Sequence, residues 1–154
     1  MSTEKVRDRG REWEVHFFGL PERITFKDIK DVPYVDYRNG LYQAIELQRR
    51  RFKINPRKPT APVTRSLMEC VEEFLRLQNI RKGKLYLYCS LGTSLDFHHG
   101  VDGFFVLKDK VVTFDLTASM DGKDRRKADV VIPRNRCKNH EMWRIAKEIA
   151  FNLS

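Results

Sequence analysis

Two aspartates, Asp102 and Asp115, stand in a stretch of the chain whose other residues are mostly apolar. Residues 101–107 and 111–116 around them are rich in the β-branched and aromatic side chains that suit a pleated, packed surface. This pattern predicts two strands flanking a short turn, with one carboxylate on each strand. An aspartate that faces a packed layer must be paired, protonated or solvated in a cleft.

The turn of this hairpin decides how close the two carboxylates come. A two-residue turn at residues 108–109 pairs Leu107 with Lys110 and sets Asp102 opposite Asp115. Directly opposed residues have Cβ atoms about 4.5–5.5 Å apart, and two carboxylates at that distance repel unless a cation or a shared proton lies between them. A hard divalent ion such as Mg²⁺ or Mn²⁺ meets that requirement. A three-residue turn would leave the acids diagonal, still within reach of one ion.

Positive charge dominates the chain, which has 30 Lys and Arg against 21 Asp and Glu and a net charge of +9 over 154 residues. Such an excess favours a polyanionic partner, most often nucleic acid. Positions 49 to 65, here called the basic segment, contain seven basic residues and no acidic one: Arg49, Arg50, Arg51, Lys53, Arg57, Lys58 and Arg65. We interpret the basic segment as a phosphate-contact surface, since a solvated helix C-terminus would explain only the three consecutive arginines.

Apolar spacing predicts the elements that position these residues. Apolar residues at helical intervals predict helices at positions 41–52, 63–79 and 138–152. Alternation and β-branched content predict further strands at positions 15–20, 84–89 and 128–132. A loop is expected at residues 90–100, which lead into the hairpin.

The order of these elements indicates an α/β fold. We expect a single domain over residues 1–154, with a mixed central β-sheet and residues 1–14 as a flexible or helical lead-in. Phe104 and Phe105 point to opposite faces of the hairpin, so helices are expected on both faces of the sheet. A hydrophobic content of 41% argues against wholesale disorder, although 33% of the residues are charged.

Composition also predicts where the chain works. No apolar run approaches the roughly 20 residues needed to span a bilayer, and the first residues lack the apolar centre of a secretory signal. Three cysteines at unrelated spacings do not form a disulfide framework. We therefore expect a soluble cytoplasmic protein without a membrane partner, and leave open a homodimer or a protein complex.

The paired histidines offer a further ligand. His98 shares strand parity with Asp102 and is expected to join the metal site or to contact phosphate. His99 would then point to the opposite face.

Zinc is the alternative metal. Its site would draw on Cys89, Cys137, His140 and one histidine of the pair, although the sequence has no tight Cys-X2-Cys ligand pair. A cysteine hydrolase built on Cys89 is the alternative enzyme class, but nothing near that residue marks an activated nucleophile.

The two acids resemble the core of the PD-(D/E)XK, or restriction-endonuclease-like, nuclease superfamily. After the hairpin, Asp102 is followed by the sequence Asp-Leu-Thr at residues 115–117, and the resemblance covers about residues 41–132. In that superfamily an aspartate on one strand and an acid-X-lysine motif on the next hold Mg²⁺ beside the scissile phosphate. The resemblance therefore implies a metal-dependent endonuclease with a restriction-endonuclease-like core.

Two positions depart from the family pattern. Val101 stands where the proline would be, and Thr117 stands where the lysine belongs. Because the family tolerates a lysine that comes from a neighbouring element, the resemblance implies Lys123 or Lys127 as the cation.

The resemblance also implies a glutamate from a preceding helix. Glu46 lies beside the arginine cluster, whereas Glu69 and Glu73 lie on the helix directly before the first strand, so the choice is open. The helix usually found between the third and fourth strands is expected only as a stub within residues 118–127.

Two functions follow from these patterns. The first is an Mg²⁺-dependent nuclease that hydrolyses phosphodiester bonds in DNA, or in RNA, with Asp102 and Asp115 as metal anchors and the basic segment on the substrate backbone. The second is a non-catalytic nucleic-acid-binding or assembly subunit with a degenerate nuclease fold, which applies if no lysine reaches the acids.

Overall fold

The structure, a computed structural model, describes residues 12–21, 31–51, 53–80, 83–117, 127–138 and 141–154. Within these ranges the elements are α1 (residues 12–18), α2 (Tyr37–Arg51), α3 (Pro62–Leu77), β1 (Leu85–Cys89), α4 (Ser94–His99), β2 (Gly103–Leu107), β3 (Lys110–Thr117), β4 (Val130–Pro133), α5 (Arg134–Lys138) and α6 (Met142–Leu153). No helix in these ranges is both long and apolar enough to cross a bilayer. The predicted lead-in up to residue 11, Lys123 and most of the predicted stub at 118–127 lie outside the described residues.

The four strands form one mixed sheet in the order β1-β2-β3-β4. The first two pairings, β1 with β2 and β2 with β3, are antiparallel, whereas β3 and β4 run parallel. A parallel pair needs a crossover connection between its two strands. The predicted mixed α/β architecture is confirmed.

The hairpin register is the predicted one. Leu107 pairs with Lys110 across a two-residue turn, in which Lys108 adopts a left-handed φ of 56°. The last ladder pair at the open end is Gly103 with Phe114, so the next positions outward are the two aspartates. The two-residue turn therefore brings Asp102 and Asp115 side by side.

Both faces of the sheet are covered by helices. On one face α3 and α6 pack against each other and over the side of the hairpin that carries Phe105 and Phe114, which are fully buried. On the other face α2 and α4 contribute Ala44 and Leu95 to a smaller cluster around Phe104. The alternation of Phe104 and Phe105 between the two clusters confirms the prediction from strand parity.

Two predicted elements near the hairpin were wrong. Residues 15–20, predicted as a strand, belong to α1 and the turn after it, because Trp13 and Phe17 lie one helical turn apart and both bury into the core. Residues 90–100, predicted as a loop, contain α4, which ends at Gly100 in a left-handed conformation (φ 69°). Both errors concern short segments whose tertiary packing decides their conformation.

The remaining elements differ from prediction mainly at their ends. The helix predicted over 63–79 is α3, and the strand predicted over 84–89 is β1. The C-terminal helix predicted over 138–152 is α6, which begins at Met142, and the short helix α5 that precedes it was not predicted.

Candidate metal centre

Asp102 lies immediately before β2 and is almost completely buried, with 3% of its surface exposed. Its backbone N–H donates to the carbonyl of Phe114 (2.9 Å), and its own carbonyl accepts from the N–H of Ser90 (2.9 Å). The carboxyl Oδ2 accepts a hydrogen bond from the backbone N–H of Leu116 at 2.8 Å. Main-chain bonds to both neighbouring segments therefore fix the position of this side chain.

Asp115 is half-buried on β3, and its carboxyl group is hydrogen-bonded to that of Asp102. Burial raises the pKa of Asp102 well above its ordinary value, and the charges of Asp96 and Glu14 and the bond to Asp115 raise it further. Burial also raises the pKa of Asp115, while the hydrogen bond from Asp102 opposes that rise. Two carboxyl groups that are hydrogen-bonded to each other hold a proton between them when no cation compensates their charge.

Two acids outside the hairpin complete the cluster. One oxygen each from Glu14, Asp96 and Asp102 lies within 4.8 Å of the other two. Glu14 comes from α1 and Asp96 from the first turn of α4, where its Oδ2 accepts a hydrogen bond from the N–H of Gly92 (2.9 Å). Among the described residues Asp115 is not part of this group of three, and it is linked to the group through its hydrogen bond to Asp102. We call the carboxyl groups of Glu14, Asp96 and Asp102, together with that of Asp115, the acid cluster.

Sequence reasoning missed Glu14 and Asp96, although each carried a signal. Trp13 and Phe17 have the spacing of an amphipathic helix, which would have placed Glu14 on a helix rather than on a strand. Thr93 and Asp96 have the Thr-x-x-Asp spacing of a helix N-terminus, which marks the start of α4.

The donor set of the acid cluster fits a hard divalent cation. Mg²⁺ and Mn²⁺ prefer oxygen ligands, and all four groups of the cluster offer carboxylate oxygens. Converging buried acids are costly as charges unless a proton or a cation compensates them. The fit therefore rests on donor chemistry and on burial together.

A glycine makes room for this arrangement. A Cβ on Gly103, the residue after Asp102, would lie 2.4 Å from Cζ of Phe114 and 2.8 Å from the carbonyl oxygen of Tyr88. These distances are far below van der Waals contact, so only glycine fits without a shift of β1 or of the Phe114 ring.

Of the two lysines predicted to replace the motif lysine, the structure describes Lys127. Its side-chain stem packs against Gly100, where an added Cβ would lie 3.3 Å from Cδ of Lys127. Gly100 precedes Asp102 by two residues, so the stem of this lysine reaches the segment that carries the buried acid. Thr117 ends β3 beside Pro133 of β4, and Lys123, the other predicted cation, lies outside the described residues.

The prediction that His98 and His99 point to opposite faces, as successive strand residues do, was wrong because both residues lie on α4. Nε2 of His98 lies 2.7 Å from the carbonyl oxygen of Val32, and Nε2 of His99 lies 2.8 Å from that of Val35. In the described part of the chain, the group of ligand atoms around Asp102 does not include His98.

The three predicted helical glutamates are exposed and lie in ion pairs along their own helices. Glu46 pairs with Arg50 at 3.1 Å on α2, and Glu69 pairs with Arg65 at 3.4 Å on α3. Glu73 pairs with an arginine one turn further along α3. The structure brings none of these three to the acid cluster within the described ranges.

The cysteines lie against apolar surroundings. Cys89 is fully buried in the main core, and Cys137 packs against the same core. Burial raises the pKa of Cys89 well above its ordinary value and that of Cys137 to about 11, which opposes the thiolate form that zinc requires. His140, the fourth ligand of the zinc alternative, lies outside the described residues.

The basic segment runs along the free edge of β1. The N–H of Leu87 donates to the carbonyl of Pro56 (2.8 Å), and the buried Gln48 donates to the carbonyl of Ile54 (3.0 Å) and accepts from the N–H of Cys89 (2.7 Å). These bonds cover an otherwise open sheet edge.

The side chains of the basic segment mostly face solvent. Arg57, Lys58 and Arg65 line a cleft of about 490 Å³ together with Glu69 and Glu72. Leu87, which bonds the basic segment to β1, pairs with Phe105 of β2. Phe105 lies three residues after Asp102, which is about 10 Å along the strand.

The carboxylate oxygens of Glu14, Asp96 and Asp102 are ligands that suit a divalent cation, and the exposed basic side chains suit an anion. Comparison of the chain with protein-family models, with curated protein sequences and with solved structures found no match.

Proposed function

We propose that the protein is an Mg²⁺-dependent nuclease with a restriction-endonuclease-like core. The observation that carries the proposal is the convergence of carboxylate oxygens from Glu14, Asp96 and the buried Asp102, with Asp115 of β3 hydrogen-bonded to Asp102. An ordinary strand-end aspartate forms a cap or a turn in solvent, whereas acids that converge on a buried carboxyl group are costly as charges unless a proton or a cation compensates them.

The sheet supports this assignment. Three antiparallel strands followed by a fourth strand parallel to the third place one acid before β2 and one on β3. A glutamate from a preceding helix belongs to the pattern that the PD-(D/E)XK resemblance implies, and we assign this role to Glu14 on α1. The proposed resemblance then extends from α1 to β4.

The four acids have two tasks in the proposed reaction. Asp102 and Asp115 hold the cation, with Glu14 and Asp96 as the acids that complete its carboxylate shell. When bound, Mg²⁺ supplies Lewis-acid stabilisation of the charge that develops on the scissile phosphate. Main-chain hydrogen bonds keep Asp102 in place, so little reorganisation is needed when the ion enters.

Lys127 supplies positive charge in place of the motif lysine, because its stem already packs against Gly100 beside Asp102. Its ammonium group neutralises charge on the phosphate in the transition state. The basic segment holds the substrate backbone and positions it without specifying sequence. We propose DNA as the main substrate, with RNA as the alternative.

A cleavage assay tests the proposal. Purified protein is incubated with single-stranded, duplex and branched DNA and RNA in Mg²⁺, in Mn²⁺ and in EDTA. We expect metal-dependent cleavage that Asp102→Asn and Asp115→Asn reduce by several orders of magnitude. Asp109→Asn is the matched control, because Asp109 lies on the same hairpin at the exposed turn. Full activity in both site variants would refute the site.

A metal titration gives a second readout that does not depend on a correct substrate. Mn²⁺ at about 100 times its dissociation constant should stabilise the wild-type protein by about 2.7 kcal/mol. The Asp109→Asn variant should respond equally, and the Asp102→Asn variant should lose the response. Equal responses in all three proteins would contradict a metal at the acid cluster.

Thr117 in the place of the motif lysine favours a second candidate, a binding subunit without catalysis. This candidate predicts salt-sensitive nucleic-acid binding that weakens when Arg49, Arg50 and Arg51 are changed to glutamine, together with no cleavage in Mg²⁺ or Mn²⁺. Cleavage that the Asp102→Asn variant abolishes would exclude it.

A further inference from the structure

Four aromatic rings form a continuous patch at the solvent side of α4. The ring of Tyr34 lies 5.7 Å from that of His98 and 5.3 Å from that of His99, and Tyr37 lies 6.1 Å from His99. Tyr34 is 66% exposed and Tyr37 is 43% exposed, although tyrosines usually bury most of their ring. We call these four residues the aromatic ledge.

The ledge is held rigidly by α4. The two histidine rings bond the carbonyls of Val32 and Val35, at 2.7 and 2.8 Å. The hydroxyl of Ser94 accepts a hydrogen bond from the N–H of Val35 (2.8 Å) and donates one to its carbonyl (3.1 Å). Tyr34 therefore projects from a fixed segment, and a fixed aromatic ring loses little conformational entropy when a ligand stacks on it.

The ledge adjoins the acid cluster. His99 lies three residues after Asp96 on α4, so both side chains belong to neighbouring positions of one short helix. Burial raises the pKa of Tyr37, and the charge of Asp129 raises it further. Oδ2 of Asp129 accepts hydrogen bonds from the N–H and the hydroxyl of Thr113. Thr113 is two residues before Asp115 on β3 and faces the same side of the sheet.

Positive charge and a further ring lie on a neighbouring face of α2. Arg38, Tyr42 and Arg49 share this face, about 100–140° around the helix axis from Tyr37, and Tyr42 is 61% exposed. Alternating aromatic and basic side chains are what proteins use to bind single-stranded nucleic acid, because bases stack on rings while cations contact phosphates.

We infer that the aromatic ledge stacks unpaired bases, so that the substrate is single-stranded or locally unpaired nucleic acid. The inference rests on the proposed nuclease function and names the substrate class of that same site. A duplex hides the faces of its bases, and only an unpaired base can lie flat on Tyr34.

A binding experiment in EDTA tests the ledge without any cleavage. The probe is a fluorescein-labelled oligodeoxyadenosine of about 12 nucleotides, and the competitors are a blunt duplex and an abasic oligonucleotide with the same number of phosphates. We expect wild-type protein to prefer the oligodeoxyadenosine. Tyr34→Leu and Tyr37→Leu should each weaken its binding by about tenfold, since stacking is worth about 1–3 kcal/mol per base.

The controls separate stacking from folding and from charge. Tyr34→Phe and Tyr37→Phe keep the ring and should bind as the wild type does, and all variants should melt at the same temperature. Trp143→Leu removes another exposed aromatic, on the helix that covers the opposite face of the sheet, and should have no effect. Binding of the abasic oligonucleotide should be equal for wild type and both leucine variants.

Two results would overturn the inference. One is unchanged oligodeoxyadenosine binding in both leucine variants, which would leave the ledge to a protein partner. The other is equal loss for the abasic probe, which would mean that phosphate contacts were disturbed. Either result can occur while Mg²⁺-dependent cleavage persists. Conversely, an absence of cleavage does not affect the binding measured in EDTA. The experiments therefore test the nuclease function and the base stacking independently.

Discussion

The two ends of the β2–β3 hairpin carry the same residue type in opposite environments. At the turn, Asp109 is exposed to solvent beside Lys108 and Lys110. At the open end, Asp102 is 3% exposed, bonded to Asp115 and close to Glu14 and Asp96.

The two environments have opposite effects on stability. Asp109 helps to form a turn, whereas Asp102 destabilises the folded state when it is ionised. A turn aspartate gains from solvent and from local bonds to its backbone. A buried acid among other acids has a raised pKa, which means that the folded state holds it at an energetic disadvantage when ionised. Such a disadvantage is expected where a cation is to bind, and it gives the two ends contrasting responses to mutation.

The largest contrast is expected in catalysis. Replacing Lys127 by Met should lower the cleavage rate by about 100-fold, or about 2.7 kcal/mol in activation free energy, because a cation next to the developing charge is lost. Mn²⁺ binding should be retained, since the acid cluster is intact. Lys110→Met, at the turn end, should leave both quantities unchanged. An unchanged cleavage rate in Lys127→Met would mean that another residue supplies the positive charge.

The next contrast concerns packing. Gly103→Ala should reduce the free energy of unfolding by about 1–3 kcal/mol, because its Cβ would collide with Phe114 and with the backbone of Tyr88. Lys110→Ala, in the exposed part of the same hairpin, should change stability by less than about 0.5 kcal/mol. Urea denaturation measures both, and equal stabilities would show that the open end can relax around a side chain.

A smaller contrast should be visible in the pH dependence of stability without divalent ions. Because the pKa of Asp102 is raised in the folded state, the folded protein binds more protons than the unfolded chain above the ordinary carboxyl pKa. The free energy of unfolding should therefore be highest in acid and fall as the pH rises towards the folded pKa, and the raised pKa of Asp115 acts in the same direction.

Urea titrations in EDTA across a pH series measure this slope. Asp102→Asn should flatten it and should raise stability at neutral pH, whereas Asp109→Asn should keep the wild-type slope. A slope that persists unchanged in Asp102→Asn would show that the buried acid is not its source.

The smallest effect is expected at Glu46. Its ion pair with Arg50 is exposed, so Glu46→Gln should change stability by less than about 0.5 kcal/mol and leave cleavage unchanged. Glu14→Gln is the sharp counterpart and should weaken Mn²⁺ binding and cleavage. If Glu46→Gln had the larger effect on Mn²⁺ binding and cleavage, the helical glutamate of the site would be Glu46 on α2 and not Glu14 on α1.

The hairpin was predictable because its signals are local. Strand alternation predicted which residues face each layer, and both turn lengths that the sequence left open place Asp102 near Asp115. The structure has the two-residue turn. The long helix α3 was predicted for the same reason, since Leu67, Val71 and Leu75 repeat at helical spacing.

The short helices carry weaker local signals. α1 has seven described residues and α4 has six, so the spacing of Trp13 and Phe17 and that of Thr93 and Asp96 favour a helix over few positions. Their conformation depends on packing: Trp13 and Phe17 enter the core, and Leu95 enters the smaller cluster. Missing these helices meant missing Glu14 and Asp96 and placing His98 at the wrong site.

The sequence by itself determined the mixed α/β architecture and the closeness of the two hairpin acids, because these follow from alternation and a short turn, whereas the choice between the two possible registers came from the structure. Only the tertiary structure decided which other acids join them. Glu14 and Asp96 are distant in sequence from Asp115, and the packing of two short helices around the open end of the hairpin brings their carboxyl groups together. Such packing minimises exposed apolar area over the whole chain, and no local pattern encodes it.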